Sequence, residues 1–241
     1  MAKTTRAALH IAFAVLLLLP LASTVAGNIN LSPTRIQLSA SEPSAVLTLH
    51  NQYTEPTIIQ LETSAWHQDD SGDNYQPTQN LIATPTVFSL QPGERQLVRV
   101  GLRHLTDLDS EQAYRLFIQE VPTTGTSNAS VQVVLRFSLP VFVAPTSKHQ
   151  LQPLVWRLLE YGDQLLIRAE NPGTKHIQIT RFILYQGSTP VAVQQHMQYL
   201  LPGQSHQWKV KATVPVPLGA TLTVDATTDA GDMQSTLLPP K

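Results

Sequence analysis

Apolar residues recur along this chain mostly with period two and in short runs. Ile29 and Leu31, Ile36 and Leu38, Val46, Leu47 and Leu49, Ile58, Ile59 and Leu61, Val98, Val100 and Leu102, and Leu116 and Ile118 all follow this spacing. Successive side chains of a strand point to opposite faces, so alternation of this kind predicts half-buried β-strands. Turn-forming residues separate the runs: Ser44, Thr54-Glu55-Pro56, Ser71-Gly72-Asp73-Asn74, Gln91-Pro92-Gly93 and Gly125-Thr126-Ser127-Asn128. About seven short strands within a little over 100 residues, with no amphipathic helix among them, predict an immunoglobulin-like β-sandwich. Only Leu105 to Tyr114 carries a pattern compatible with a helical turn.

A polar stretch from Thr146 to Gln150 follows Pro145, and a second strand-rich half opens at Leu154-Val155-Trp156. This divides the chain into residues 27–145 and 150–241, two lengths that each suit one modest core. The halves share a pattern. Asn51 precedes a turn and the alternating run Ile58-Ile59-Gln60-Leu61, and Asn171-Pro172-Gly173 precedes Ile177-Gln178-Ile179. A Pro-Gly turn then leads into another strand in both, as Leu90-Gln91-Pro92-Gly93 and Leu201-Pro202-Gly203. Two copies of a related sandwich and shared turn chemistry both account for the match.

Val131 to Val143 is the most apolar and β-prone run outside the N-terminus. Val131, Val133, Leu135, Phe137, Leu139, Val141 and Val143 fall on one face, with Gln132, Val134, Arg136, Ser138, Pro140 and Phe142 on the other. Pro140 has no N–H to give to a ladder, which argues for an edge strand or one that switches sheets. An exposed aliphatic edge aggregates unless pairing is its function.

The first 26 residues read as an export signal. Lys3 and Arg6 precede the apolar run Ile11 to Leu19, and Thr24-Val25-Ala26 supplies small residues for cleavage. The run is too short to span a bilayer and is interrupted by Pro20, so the mature chain is expected not to insert in a membrane. Cysteine is absent and the net charge is −1, with no Lys/Arg run. Stability must therefore come from packing and backbone pairing, and nothing points to nucleic acid. No nucleophile elbow, phosphate loop, dinucleotide fingerprint or zinc-protease motif occurs, so neither an enzyme nor a cofactor is expected. The eight histidines are scattered and read as surface or loop residues. Asp69, Ser71 and Asp73 lack the rest of a calcium loop and read as a hairpin tip. Asn128-Ala129-Ser130 reads as a chance sequon, and Trp66, Trp156 and Trp208 as core packing.

Across essentially the whole mature length the chain resembles the periplasmic chaperones of chaperone/usher pilus assembly. The resemblance rests on Ser32-Pro33-Thr34-Arg35, Leu47-Thr48-Leu49-His50-Asn51, Pro85 to Gly93 followed by Val98-Arg99, Tyr114 to Pro122, and Arg136 to Pro145. Its closing Arg-x-x-x-Pro-Val-Phe-Val form is similar to the archaic branch associated with thin, spore-coat-like fimbriae. The resemblance implies two immunoglobulin-like sandwiches in an L-shaped arrangement with an interdomain cleft. It implies capture of a pilus subunit by donation of a strand, with Val131, Val133, Leu135 and Phe137 as donor residues. It further implies delivery to an outer-membrane usher and an anchor for the subunit's C-terminal carboxylate in the cleft. Arg35 matches the first cation of that anchor. Where the family carries a lysine as the second, aligning the terminal proline on Pro145 puts Pro140 here. Arg136 is the nearest substitute on that face, and Arg115 or Arg99 are alternatives. Self-association of the free form through the donor edge also remains open. The rival reading is a secreted two-domain adhesin or carbohydrate-binding module, because immunoglobulin-like folds host many functions.

Overall fold

The computed structural model describes residues 28–69, 72–104, 108–122, 134–146 and 152–239. The expected signal segment, Val131 and Val133 lie outside these residues. The first half carries β1 (Ile29–Ser32), β2 (Ile36–Leu38), β3 (Ser44–Asn51), β4 (Thr57–Asp69), β5 (Gly72–Pro77), β6 (Leu81–Thr84), β7 (Val87–Leu90), β8 (Arg95–Leu102), β9 (Gln112–Val121) and β10 (Arg136–Val143). One sheet runs β1-β3-β8-β6, and the facing sheet runs β2-β10-β9-β4-β5 with β7 also on β4. Leu47, Leu49, Ile59, Val98, Val100, Leu116, Ile118 and Val141 fill the space between them. The second half carries β11 (Val155–Glu160), β12 (Gln164–Glu170), β13 (Ile177–Gln186), β14 (Thr189–Gln194), β15 (Gln198–Leu200), β16 (Ser205–Lys211), β17 (Thr223–Thr228) and β18 (Gly231–Thr236). Its sheets, β11-β12-β16 and β14-β13-β17-β18 with β15 on β13, enclose a second core built around Trp156, Phe182 and Trp208. The fold is all-β, as two immunoglobulin-like sandwiches, and among the described residues every strand pairing stays within one half.

Among the described residues, ten strands precede residue 144 rather than about seven. The surplus has a physical reason. β5 has no buried face and so leaves no hydrophobic alternation, while the 13-residue β4 pairs in turn with β7, β9 and β5 and needs short partners along its length. No helical turn forms in the described part of 105–114, where β9 begins at Gln112 instead.

The repeated Asn is the same structural device in both halves. Asn51 is fully buried; its Nδ2 donates to the carbonyls of Glu55 and Leu90, and its Oδ1 accepts the Tyr53 N–H. Asn171, also fully buried, donates to the carbonyls of Lys175 and Leu200 and accepts the Gly173 N–H. Each Asn carbonyl accepts from the glycine of its Pro-Gly turn, Gly93 or Gly203. Those glycines sit at φ 76° and 70°, in the left-handed region where a side chain is disfavoured. The two sandwiches are thus built on one plan.

Burial changes face along two strands. In β4, Ile59 and Leu61 are buried in the sandwich, whereas Ser64, Trp66 and Gln68 are buried on the opposite side. In β10 both faces are buried from Leu139 onward. The second half covers this outer face: Trp66 and Phe142 pack with Tyr199 and Leu201.

Candidate functional site: the open edge of β10 and the cleft beside it

β10 pairs along its whole length with β9, from Arg136 opposite Gln119 to Val143 opposite Gln112. On its other side β2 covers only Val141 to Val143. From Arg136 to Pro140 that second edge has no strand partner among the described residues. The Leu135 carbonyl accepts the Glu120 N–H at 3.0 Å, which sets the phase of the ladder. Odd residues therefore direct their backbone groups to β9, and even residues direct theirs to the open edge. Pro140 is an even position, so its missing N–H costs no ladder bond to β9, and the N–H and C=O groups of Arg136 and Ser138 have no strand partner among the described residues.

Of the residues proposed as donors from sequence, Leu135 is partly buried at the start of this edge, with its N–H donating to Glu120 Oε2 at 3.1 Å. Phe137 leans on the core of its own sandwich, continuous with Leu139, Val141 and Val143.

The four candidate arginines separate clearly. Because Ile36 pairs with Val141 in parallel, Arg35 lies beside Pro140. Arg115 is the direct partner of Pro140 on the other side. Ile36 and Val141 point into the core, so Arg35, Pro140 and Arg115 project from the outer face, next to the second half. Two strand spacings place the two arginine Cα positions about 10 Å apart, with Pro140 between them. Arg136 lies four residues up β10, roughly 13 Å from Pro140, where it stacks over Phe117 at 4.3 Å and meets Glu62 at 3.4 Å. Arg99 is exposed on the outer face of the other sheet, in register with Val46 and Thr84. Neither reaches the cleft.

Arg115 has no carboxylate partner among the described residues. Its guanidinium lies 3.8 Å from the centre of the Trp66 ring, and its Nε is buried without a hydrogen bond. Arg35 instead contacts the second half, with Nη1 3.1 Å from Asp229 Oδ2. Asp229 continues a chain of charges. Its Oδ1 accepts the Gln178 N–H at 2.8 Å, and its Oδ2 lies 3.6 Å from His176 Nε2. His176 is fully buried, stacks on Phe142 at 3.6 Å and bonds Glu111 through Nδ1.

Burial alone lowers the His176 pKa, but Asp229 and Glu111, facing it from two sides, outweigh that and hold it above its ordinary 6.5. Burial likewise raises Asp229, yet His176, the Gln178 N–H and Arg35 together bring it down to about 2. Among the described residues, the Arg35 guanidinium and the His176 ring both meet Asp229, His176 also meets Glu111, and Arg115 meets neither carboxylate.

Several of these groups carried no signal in the sequence. His176 is buried between the halves rather than on the surface, and Trp66 packs in the interface rather than in a sandwich core. Gln68 crosses the same seam, with Nε2 donating to the Tyr199 carbonyl and Oε1 accepting the Leu201 N–H. Only tertiary convergence assembles them, although the switch of buried face along β4 is an imprint of the contact.

A family model for the pili and flagellar-assembly chaperone, PapD N-terminal domain, matches residues 28–149. The chain is 28% identical over 168 residues to the probable fimbrial chaperone LpfB of Escherichia coli O157:H7, covering 66% of this chain and 68% of LpfB. It is 25% identical over 162 residues to the chaperone protein PapD of Escherichia coli, covering 63% and 64%. Among solved structures it is similar to the CsuC–CsuE chaperone and tip-adhesion-subunit complex of archaic Csu pili from Acinetobacter baumannii, with a TM-score of 0.67 at 18% identity over 89% of this chain and all of the matched chain. The Salmonella enterica complex of SafA pilin with the SafB chaperone gives 0.60 at 17% identity, over 87% and 96%. At such identities these structures speak for the fold.

Proposed function

The chain belongs to the pili and flagellar-assembly chaperone family, and from that premise we propose that it captures pilus subunits by lending them a strand. The observation that carries this reading is the edge of β10 from Arg136 to Pro140, which has no strand partner among the described residues and lies next to a cleft with Arg35 and Arg115. An incoming strand gains main-chain bonds from the outward groups of Arg136 and Ser138, and alternate side chains of the donor segment fill the subunit's groove. Val131, Val133 and Leu135 are the donors in this reading. Phe137, which already packs on its own sandwich, closes the row. Burying each aliphatic donor contributes roughly 1.5 to 3 kcal/mol before ordering costs.

The subunit's C-terminal carboxylate belongs over Pro140, between Arg35 and Arg115. A guanidinium on each side holds it bidentately in a partly dry site. Proline at 140 then makes sense as a short uncharged residue between the two arginines, with the second cation supplied by the neighbouring strand. The remainder of the assignment follows the family: residues 1–26 as export signal, 27–145 and 150–241 as the two domains, the periplasm as the compartment, and an outer-membrane usher as the recipient. The Arg-x-x-x-Pro-Val-Phe-Val ending, together with the fold-level likeness to the CsuC complex, supports the archaic branch.

The test is Ser138→Pro. The substitution removes an N–H that serves only the open edge, at the same kind of position that Pro140 already occupies, so the sandwich is expected to keep its stability. One-to-one co-purification with a co-expressed pilus subunit is expected to disappear. Undiminished co-purification from a folded Ser138→Pro chain contradicts strand donation at this edge.

A further inference from the structure

Asp229 lies where a captured chain would compete with it. Its Oδ2 lies between Arg35 Nη1 at 3.1 Å and the His176 ring, whose Nε2 is at 3.6 Å, while Oδ1 is tied to the Gln178 backbone at 2.8 Å. The carboxylate is thus fixed from its own half whether or not Arg35 is present. Arg35 is attached differently. It is partly exposed, it immediately precedes a three-residue strand, and its only described ion pair is the one to Asp229. In this pair the arginine is the member free to leave.

We propose that Asp229 is a built-in stand-in for the subunit's C-terminal carboxylate: it holds Arg35 in the free chaperone, yields it on capture, and so sets the strength of the anchor. The inference rests on the reading of Arg35 as an anchor residue. Transfer of Arg35 from Asp229 to the incoming carboxylate keeps the cation paired throughout, and Asp229 retains Gln178 and His176. An arginine never left unpaired avoids the cost of a bare charge in a half-dry cleft. A chain end lacking a carboxylate has nothing to exchange for Asp229 and leaves Arg35 where it is.

The experiment uses a synthetic octapeptide of alternating valine and threonine, as the free acid and as the C-terminal amide, titrated into the mature chain. The wild-type protein is expected to prefer the acid. In Asp229→Asn, which keeps an oxygen for the Gln178 N–H, that preference is expected to rise roughly tenfold, the worth of one partly exposed charge-assisted bond. In the unsubstituted chain, the carboxylate ¹³C resonance of Asp229 is expected to move on titration with the acid and to stay put with the amide. This second readout holds even where the substitution weakens the fold. A wild-type chain without preference for the acid removes the anchor and this inference together. Acid preference that is unchanged or lower in a folded Asp229→Asn, with an Asp229 resonance indifferent to the acid, overturns the exchange and leaves the anchor standing.

Discussion

Replacing Arg115 by Met removes a charge while keeping an unbranched apolar stem on Trp66. For the fold the two consequences nearly offset. The guanidinium sits 3.8 Å from the Trp66 ring centre, a cation–π contact worth about 0.5 to 2 kcal/mol. Its Nε, however, is buried without a hydrogen bond, and removing it relieves a penalty of about 1 to 3 kcal/mol. Arg115→Met is therefore expected to melt within a few degrees of the wild type. Capture is expected to respond differently. A charge-assisted bond to a carboxylate in a partly dry cleft contributes about 1.5 to 3 kcal/mol, so affinity for a chain ending in a free carboxylate falls roughly 10- to 150-fold. Arg136→Met is the control, because Arg136 is occupied with Phe117 and Glu62 at a distance from the cleft. Fluorescence anisotropy of a labelled peptide, as acid and as amide, measures both variants. A folded Arg115→Met chain that keeps the wild-type preference for the acid, while Arg136→Met loses it, refutes the assignment of the second cation to β9.

Two further outcomes follow from the cores and the clasp. Asn51→Ala strips the partners from the Leu90 and Glu55 carbonyls and the Tyr53 N–H, which is expected to cost about 3 kcal/mol; calorimetry is expected to show Asn171→Ala costing about the same in the second sandwich. The pH profile of thermal unfolding reports the clasp. His176 has a raised pKa, so its contribution is complete below 6.5 and is lost as pH climbs through the folded value. Asp229 has a lowered pKa, so its contribution is complete above 3.8 and is lost as pH falls through about 2. Stability from this pair is expected to be greatest between those two ordinary values, and His176→Asn is expected to abolish the decline on the alkaline side; an unchanged decline in that variant would show that another group causes it.

The double sandwich was legible because its cores are local alternations. Ile36 and Leu38, Leu47 and Leu49, or Val98 and Val100 each state their buried face within a few residues. The Asn and Pro-Gly repeat was equally legible, since one buried amide and one glycine turn act within a short stretch of chain. β5 was not, because a strand exposed on both faces has no hydrophobic period. The cleft was visible only in part. Arg35 and the proline at 140 were singled out by the family resemblance, whereas finding Arg115 rather than Arg136 beside Pro140 needs the register of β9 against β10. Glu111, His176 and Asp229 lie in separate segments and meet only because two sandwiches dock. No spacing rule brings such residues together.

Amide exchange along β10 tests strand donation most directly. In the free chain, Phe137 and Leu139 are held in the ladder with β9, whereas the N–H groups of Arg136 and Ser138 face the open edge. In a co-purified one-to-one complex with a pilus subunit, exchange at Arg136 and Ser138 is expected to slow by at least about tenfold, with Phe137 and Leu139 nearly unchanged. Arg136 and Ser138 exchanging as fast in the complex as in the free chain would contradict the account, because no strand could then be paired at that edge.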